Sequence, residues 1–253
     1  MGEGDSTRGR GTTPSESLGF DDYPRPALAV DPVVLEVADG TLRVAIRRRD
    51  VEPQVGTWAL PGVFVQHGET LDHAVRRAVD EKCHVPEPAF VEQLFTWDMA
   101  GRDPRGWVVA VAYFVVVRPG ELRRAGESSD ALAIGDVAAD IDLDGGSASV
   151  RVDGKPVALA FDHEQILGAA VARLRGRLRY SPVAVEFLPE LFTLRELQTV
   201  YEAILGTAVN KDSFRRHVVS TMKLVEPTGE HERDVPHRPA ELYRVRAAAT
   251  EIV

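Results

Sequence analysis

Four charged residues, Glu69, Arg77, Glu81 and Lys82, lie on or just before a stretch expected to form a helix from about Thr70 to His84. Positions 78, 81 and 82 stand at i, i+3 and i+4 and so share a face. Carboxylates at all three would give the hard oxygen ligands that hold magnesium against a substrate phosphate. The face instead carries Ala78, Glu81 and Lys82. A metal site on this face would lack one ligand and would meet a cation at another. Two unit charges about 4 Å apart repel by about 4 kcal/mol at an effective dielectric of about 20, and a dication is repelled more. Asp72 and Asp80 do not replace the missing carboxylates, since Asp80 is two residues from Ala78 and points elsewhere. Metal-assisted hydrolysis is therefore not expected. Binding of a diphosphate without a metal remains open, because cationic side chains can take over the metal's charge. Lys82 is one candidate. Arg102 and Arg105, flanking Asp103 in a polar loop, are others, and Arg105 could fork onto phosphate oxygens. Phe95, Trp97 and Trp107 either stack on a base or fill the core.

A second group of residues suits nucleic acid. Asn210 is placed to cap a helix from about Lys211 to Met222, in which Phe214 and Val218 should pack inward. Asp212, Arg215, Arg216 and Val219 then face outward. Arginine pairs bidentately with guanine in the major groove, with about 1–3 kcal/mol of discrimination. Lys211 and Ser213, near the helix start, suit phosphate contacts. Arg195 and Arg238 are further phosphate candidates.

The elements that position these groups can be read from hydrophobic period and turn chemistry. Residues 27–37 and 42–46 form a strand pair about Asp39-Gly40. A charged loop runs from Arg47 to Gly62. Leu71, Ala74, Val75, Ala78 and Val79 make the buried face of the helix that ends before Pro86. Strands are expected at 90–97 and 107–117, a polar connection at 119–131, and a hairpin of 148–152 with 156–159 about Asp153-Gly154. A helix should start after Asp162, a candidate N-cap, and run to Arg179. Thr193 and Glu196 form a capping box for another helix, ended by Gly206. Two helices joined by a short Gly-containing turn are the pattern of a helix-turn-helix. The extended pieces at 224–227 and 242–245 would add a wing.

The chain has 253 residues and a net charge of −9. Residues 173–253 hold 13 Lys and Arg against 11 Asp and Glu, whereas the first 172 hold 17 against 28, so the acidic excess lies wholly in the front part. The overall charge thus does not exclude a nucleic-acid partner. No apolar run approaches the ~20 residues of a membrane helix. Residues 1–20 lack an apolar core, which excludes a secretory signal and reads as a disordered leader. A lone cysteine, Cys83, excludes an intrachain disulfide and a cysteine-based zinc cluster. The cytoplasm, with association to the nucleoid, is the expected location.

The stretch LPGVFVQHGETLDHAVRRAVDEKCHV, from Leu60 to Val85, resembles the Nudix box, G-x5-E-x7-R-E-U-x-E-E-x-G-U with U apolar. Glu69 takes the first glutamate position, Arg77 the arginine and Val85 the final apolar position. Val63 stands at the opening glycine, Ala78 in the R-E pair, Lys82 in the E-E pair and His84 at the last glycine. More broadly, the chain from Tyr23 onward resembles the NrtR-type Nudix-related transcriptional regulators. Tyr23-Pro24-Arg25-Pro26-Ala27, the run Gly56 to Gly62, Glu92-Gln93-Leu94, the run Gly101 to Gly106 and Leu159 to His163 carry the likeness at the front. Phe192 to Gln198, Asn210 to Arg216 and His237 to Ala240 carry it at the back. The resemblance implies an α/β fold, a Nudix-like α/β/α sandwich over residues 21–178, followed by a winged helix-turn-helix over 179–253. It implies a homodimeric repressor of genes of NAD metabolism, released from an operator in double-stranded DNA by ADP-ribose or a related nucleotide, with no cofactor. Some members of that family sense pentose sugars instead. Two other readings stay open: an ADP-ribose pyrophosphatase with an accessory winged helix, and a protein-interaction adaptor. Glu69, Arg77, Glu81, Lys82, Arg102, Asp103 and Arg105 are the candidate ligand residues. Arg195, Lys211, Ser213, Arg215, Arg216 and Arg238 are the candidate DNA residues.

Overall fold

The structure is a computed structural model that describes residues 23–142, 145–236 and 238–246. The leader expected over 1–20, His237 and the end of the chain after Arg246 lie outside the described residues.

The front half is built on one mixed sheet. β1 (Ala27–Ala38) and β2 (Thr41–Arg48) form the expected hairpin, with Asp39 and Gly40 at φ +52° and +72° in the turn. That pair of left-handed residues matches the twist of a two-residue hairpin, and Gly40 meets it without Cβ strain. β5 (Phe90–Trp97), β6 (Val108–Val116), β1, β2, β7 (Leu132–Asp142), β8 (Gly145–Val152) and β9 (Lys155–Val157) follow one another across the sheet. Only the β1–β6 pairing along that path is parallel. Two short strands, β3 (Trp58–Ala59) on β2 and β4 (Val63–Phe64) on β1, frame the turn Leu60-Pro61-Gly62.

Alternation along β1 divides the core. Val30 and Val34 face α1 (Leu71–Cys83) and α2 (Glu121–Glu127), whereas Val33, Leu35 and Val37 face α3 (His163–Arg177). Helices on both faces make the α/β/α sandwich. Gly168 lets α3 lie directly on β8, since a Cβ there would collide with the carbonyl of Gly146. α1 is capped by Thr70, whose hydroxyl accepts from the His73 N–H. It ends at His84 in the left-handed conformation, the place where glycine is usual.

Several expectations are corrected. The connection at 119–131 contains α2, held at its start by the buried Glu36 carboxylate, which accepts from the Leu122 N–H. Strand β7 was not anticipated. Asp162 stands at the N-cap of α3, but its carboxylate makes no capping bond and binds Arg102 instead.

In the back half a 3-10 turn, Pro182–Phe187, leads to β10 (Phe192–Thr193) and α4 (Leu194–Leu205). The Thr193–Glu196 capping box and the left-handed Gly206 end are both present. α5 (Lys211–Arg215) starts under the Asn210 cap, then continues as a π-helical turn over Arg216–Thr221 rather than as one α-helix to Met222. Phe214 and Val218 are buried; Val219 is half-buried rather than outward. β11 (Val225–His231) and β12 (Glu241–Val245) form the wing, with β12 between β10 and β11. The two halves share one core, in which Ile166, Leu167 and Leu174 of α3 join Leu197, Tyr201 and Ile204 of α4. Arg175 Nε donates to the Ile204 carbonyl at 2.9 Å, and Tyr201 OH donates to the Leu178 carbonyl at 3.4 Å.

Candidate functional site

A cavity of about 360 Å³ opens between the end of β2, the Leu60–Gly62 turn, α1, the Arg102–Arg105 loop and the start of α3. Its floor is a buried ion cluster. Arg102 donates from Nε and Nη2 to the two Asp162 oxygens at 2.8 and 2.7 Å, and from Nη2 to Asp31 Oδ2 at 3.1 Å. The Arg102 side chain is only 6% exposed. Gly62 must be glycine here, because a Cβ would run into Asp31 Oδ1. His163 Nδ1 accepts from the Leu60 N–H at 2.9 Å, which leaves the ring proton on Nε2, 4.0 Å from Asp31 Oδ2. Burial pushes the His163 pKa down, so the ring stays neutral.

One wall is α1, from which Arg77, Glu81 and Lys82 line the cavity. Glu69 does not line it. Its carboxylate holds Arg77 through two bonds of 2.8 and 2.9 Å, and Arg77 Nη2 also donates to the Phe64 carbonyl at 3.0 Å. The Arg77 hydrogen bonds, followed by the Gln66 N–H, bring the Glu69 pKa down to about 2. Glu81, mostly exposed, lies 3.5 Å from Arg77 Nη1. Ala78 is fully buried against the sheet and lines none of the cavity.

The rim is cationic. Arg47, Arg48 and Arg49 leave the end of β2 in succession and all line the cavity. Arg47 donates to the Lys82 carbonyl at 3.3 Å. Arg49 donates to the Pro53 and Val51 carbonyls and lies 4.8 Å from the Phe161 ring centre. Across the opening, Arg105 is held by Asp103, with Nη2 2.6 Å from Oδ2, and lies 5.3 Å from the Phe64 ring. Asp103 sits below the usual carboxylate range, chiefly because Arg105 donates to it. Of the seven expected ligand residues, Arg77, Glu81, Lys82, Arg102, Asp103 and Arg105 thus converge on one cavity.

The Arg47–Arg49 run, Asp31, Phe64, Phe161 and His163 were missed. The only signal for the arginines was a triplet of cations at the end of a strand. The aromatics near the opening are Phe64 and Phe161. Phe95 and Trp97 stack on each other, 4.7 Å apart, and neither they nor Trp107 line it.

Seven lining cations (Arg47, Arg48, Arg49, Arg77, Lys82, Arg102, Arg105) face four lining carboxylates (Asp31, Asp50, Glu81, Asp103). Among the described residues no three His, Cys, Asp or Glu side chains group as metal ligands. The Nudix box would imply magnesium, and this donor set does not fit it. Glu81 is the one α1 carboxylate at the cavity, and it stands between Arg77 and Lys82. A hard divalent cation needs anionic oxygen there rather than guanidinium and ammonium.

The second surface lies on the winged helix. Lys211, Ser213, Arg215 and Arg216 are exposed along α5 and the turn after it. Beneath them Phe214 packs edge-on against Tyr201, with centroids 5.1 Å apart. Arg215 Nη2 donates to Tyr243 OH at 3.3 Å, and that hydroxyl donates to Glu241 at 2.8 Å, so a wing strand braces the helix arginine. Arg195 is exposed on α4, 3.9 Å from Glu202, and Arg238 is exposed between the wing strands. No described helix is long and apolar enough to cross a membrane.

Known proteins match both halves of the chain. Residues 184–245 match the family described as the NrtR DNA-binding winged helix domain. The ADPR responsive transcriptional repressor NtrR of Acinetobacter baylyi is 35% identical over 228 residues, which are 88% of this chain and 83% of that protein. An ADP-ribose pyrophosphatase of Methanocaldococcus jannaschii is 30% identical over 145 residues, 57% of this chain and 73% of that enzyme. The crystal structure of Shewanella oneidensis NrtR complexed with a 27mer DNA superposes with a TM-score of 0.71 at 32% identity, covering 88% of this chain and 95% of that one. With a Nudix-like sandwich in front, a winged helix behind and this degree of identity across both, the chain belongs to the NrtR family.

Proposed function

We propose that this protein is a transcriptional repressor that binds an operator in double-stranded DNA as a homodimer, and that ADP-ribose or a related nucleotide controls it through a catalytically inactive Nudix-like domain. Residues 21–178 form the sensor and residues 179–253 the DNA reader. NAD metabolism is the expected target, and the cytoplasm the place of action. The observation that carries the reading is the cavity wall on α1. Where a metal enzyme needs clustered carboxylates, it has Glu81 and Lys82, with Ala78 buried beneath them, within a ring of cations suited to a diphosphate.

In this reading Lys82, Arg105 and the Arg47–Arg49 run hold the phosphates. Arg102 and Glu69 act one step back, Arg102 by fixing the floor and Glu69 by aiming Arg77. Phe161, with Arg49 over its ring, offers a flat surface to a base or ribose. In the reader, Arg215 and Arg216 contact base edges, while Lys211, Ser213, Arg195 and Arg238 contact phosphates. Dimerisation doubles those phosphate contacts on a palindromic site, which offsets the weakly basic character of one reader.

The test uses purified protein with ADP-ribose and magnesium, then the same protein with its own upstream DNA. ADP-ribose should raise the melting temperature, no ribose 5-phosphate should appear, and the DNA should shift in a gel and be released by the nucleotide. Steady turnover would instead establish the second reading, a pyrophosphatase, which the retained Glu81 and the 30% identity to an archaeal ADP-ribose pyrophosphatase favour. No shifted DNA at low salt, where phosphate contacts are strongest, would move the winged helix to a protein-binding role.

A further inference from the structure

A larger cavity, about 660 Å³, lies at the other end of α3, between that helix and the reader. Its walls are apolar: Leu178 follows α3, Tyr201 and Leu205 come from α4, and Phe214 comes from the helix that carries the DNA-facing arginines. Arg175 and Arg179 stand at its edge, and none of the described lining residues is acidic. Arg175 is fixed there by bonds to the Ile204 and Ala139 carbonyls. Gly176 borders the space, and a Cβ at that position would touch nothing within 4 Å.

These features describe a ligand. Concave sites of about 300–1,000 Å³ with mostly apolar walls and a few placed polar groups are the usual form of a small-molecule pocket. The apolar surface calls for a hydrocarbon or aromatic body, and the arginine edge calls for an anionic head. We propose that this cavity is a second binding site, for a small amphipathic carboxylate, and that its occupancy alters DNA binding. The site differs from the nucleotide cavity in place and in chemistry. α3 has 15 residues, which separates its ends by about 22 Å at about 1.5 Å per residue. His163 lines the first cavity, and Arg175 and Gly176 line the second. Phe214 and His217, on the face of the reader helix turned from DNA, line this second cavity, and Ser213 borders it at the helix start. A ligand wedged there presses on the element that sets Arg215 and Arg216.

Calorimetric titration of the full chain with octanoate, without nucleotide or DNA, tests the site independently of the repressor reading. Octanoate should bind once per chain. Octanamide, with the same body and no charge, should bind at least about tenfold more weakly, the difference of one charge-assisted contact. Arg179→Gln should weaken octanoate by a similar factor. Gly176→Leu should remove binding by filling the space, while its melting temperature stays at or above that of the parent, since leucine is a better helix former than glycine. In a gel shift, octanoate should move the DNA-binding midpoint of the parent and leave that of Gly176→Leu unchanged. No heat with octanoate, equal affinity for octanamide, or undiminished binding by a folded Gly176→Leu protein would each overturn the proposal.

Discussion

Arg77 grips Glu69 through both carboxylate oxygens, Nε to Oε1 at 2.8 Å and Nη2 to Oε2 at 2.9 Å, across the eight residues that separate the loop before α1 from its second turn. The pair stands at the glutamate and arginine positions of the Nudix-box resemblance, in which positions 78, 81 and 82 hold Ala78, Glu81 and Lys82. Its present role is to hold a cavity cation in place, with Phe64 O as a third anchor.

The pair makes a prediction about acid. The Glu69 pKa falls from an ordinary 4.5 to about 2, first because of Arg77. A carboxyl with a depressed folded-state pKa stabilises the fold at pH above its unfolded value and loses that contribution as pH drops through the folded one. Glu69→Gln should therefore lower the urea midpoint at neutral pH, and the gap from the parent should close between about pH 4.5 and pH 2. A gap that stays constant down to the lowest pH would show that the ion pair adds nothing to stability.

The floor cluster makes a stronger one. Arg102 is buried with Asp31 and Asp162, and removal of one partner from such a group leaves charge uncompensated, at a cost of about 3–5 kcal/mol. Arg102→Ala should unfold at correspondingly lower denaturant. Arg105→Ala, at an edge that is 42% exposed, should cost less than Arg102→Ala, since the Arg105 backbone N–H still donates to Asp103, and should act mainly on nucleotide affinity. Equal destabilisation by the two would contradict the division between floor and rim.

Much of this architecture is legible in the sequence. α1 announced itself through Thr70, its apolar face and Pro86. α4 did so through Thr193, Glu196 and Gly206, because caps and periodicity are local physics. α2 was not legible, since only Leu122 and Ala125 in ELRRAGE are buried and Glu36, which anchors its first turn, is distant in sequence. β7 hid behind Gly135 and several aspartates that read as loop. The Arg47–Arg49 run read as charge in a loop, and its role depends on β2 ending beside the Lys82 carbonyl, a long-range contact. Asp162 looked like a cap because its position is right, but Arg102, 60 residues away, competes for its carboxylate with a bidentate pair.

The reader divides into two kinds of contact that salt can separate. Arg216→Ala should cost about 1–3 kcal/mol on the cognate operator and relax preference at one base pair. Lys211→Ala should weaken cognate and random DNA alike, and should reduce the slope of log affinity against log salt by about 1. Arg215→Ala should resemble Arg216→Ala, with an added loss because Tyr243 then no longer braces a partner on the helix. A Lys211→Ala protein that loses discrimination between sequences would reverse these assignments.

The sharpest distinction between sensor and enzyme is the charge at position 82. If Lys82 replaces the metal, nucleotide affinity should be the same in EDTA as in magnesium. Lys82→Glu places an anion beside Glu81 and facing the diphosphate, and a charge about 4 Å away contributes about 4 kcal/mol of repulsion at an effective dielectric of about 20. ADP-ribose affinity in EDTA should therefore fall by more than about tenfold. Magnesium should restore part of it, because two neighbouring carboxylates now offer hard oxygen to the ion. Turnover should still be absent, since Ala78 remains apolar and buried. Lys82→Gln, which removes the cation without adding an anion, should fall between the parent and Lys82→Glu and gain nothing from magnesium. If Lys82→Glu bound ADP-ribose in EDTA as tightly as the parent, Lys82 would have no part in holding the phosphates, and the charge that replaces the metal would have to come from the arginines of the rim.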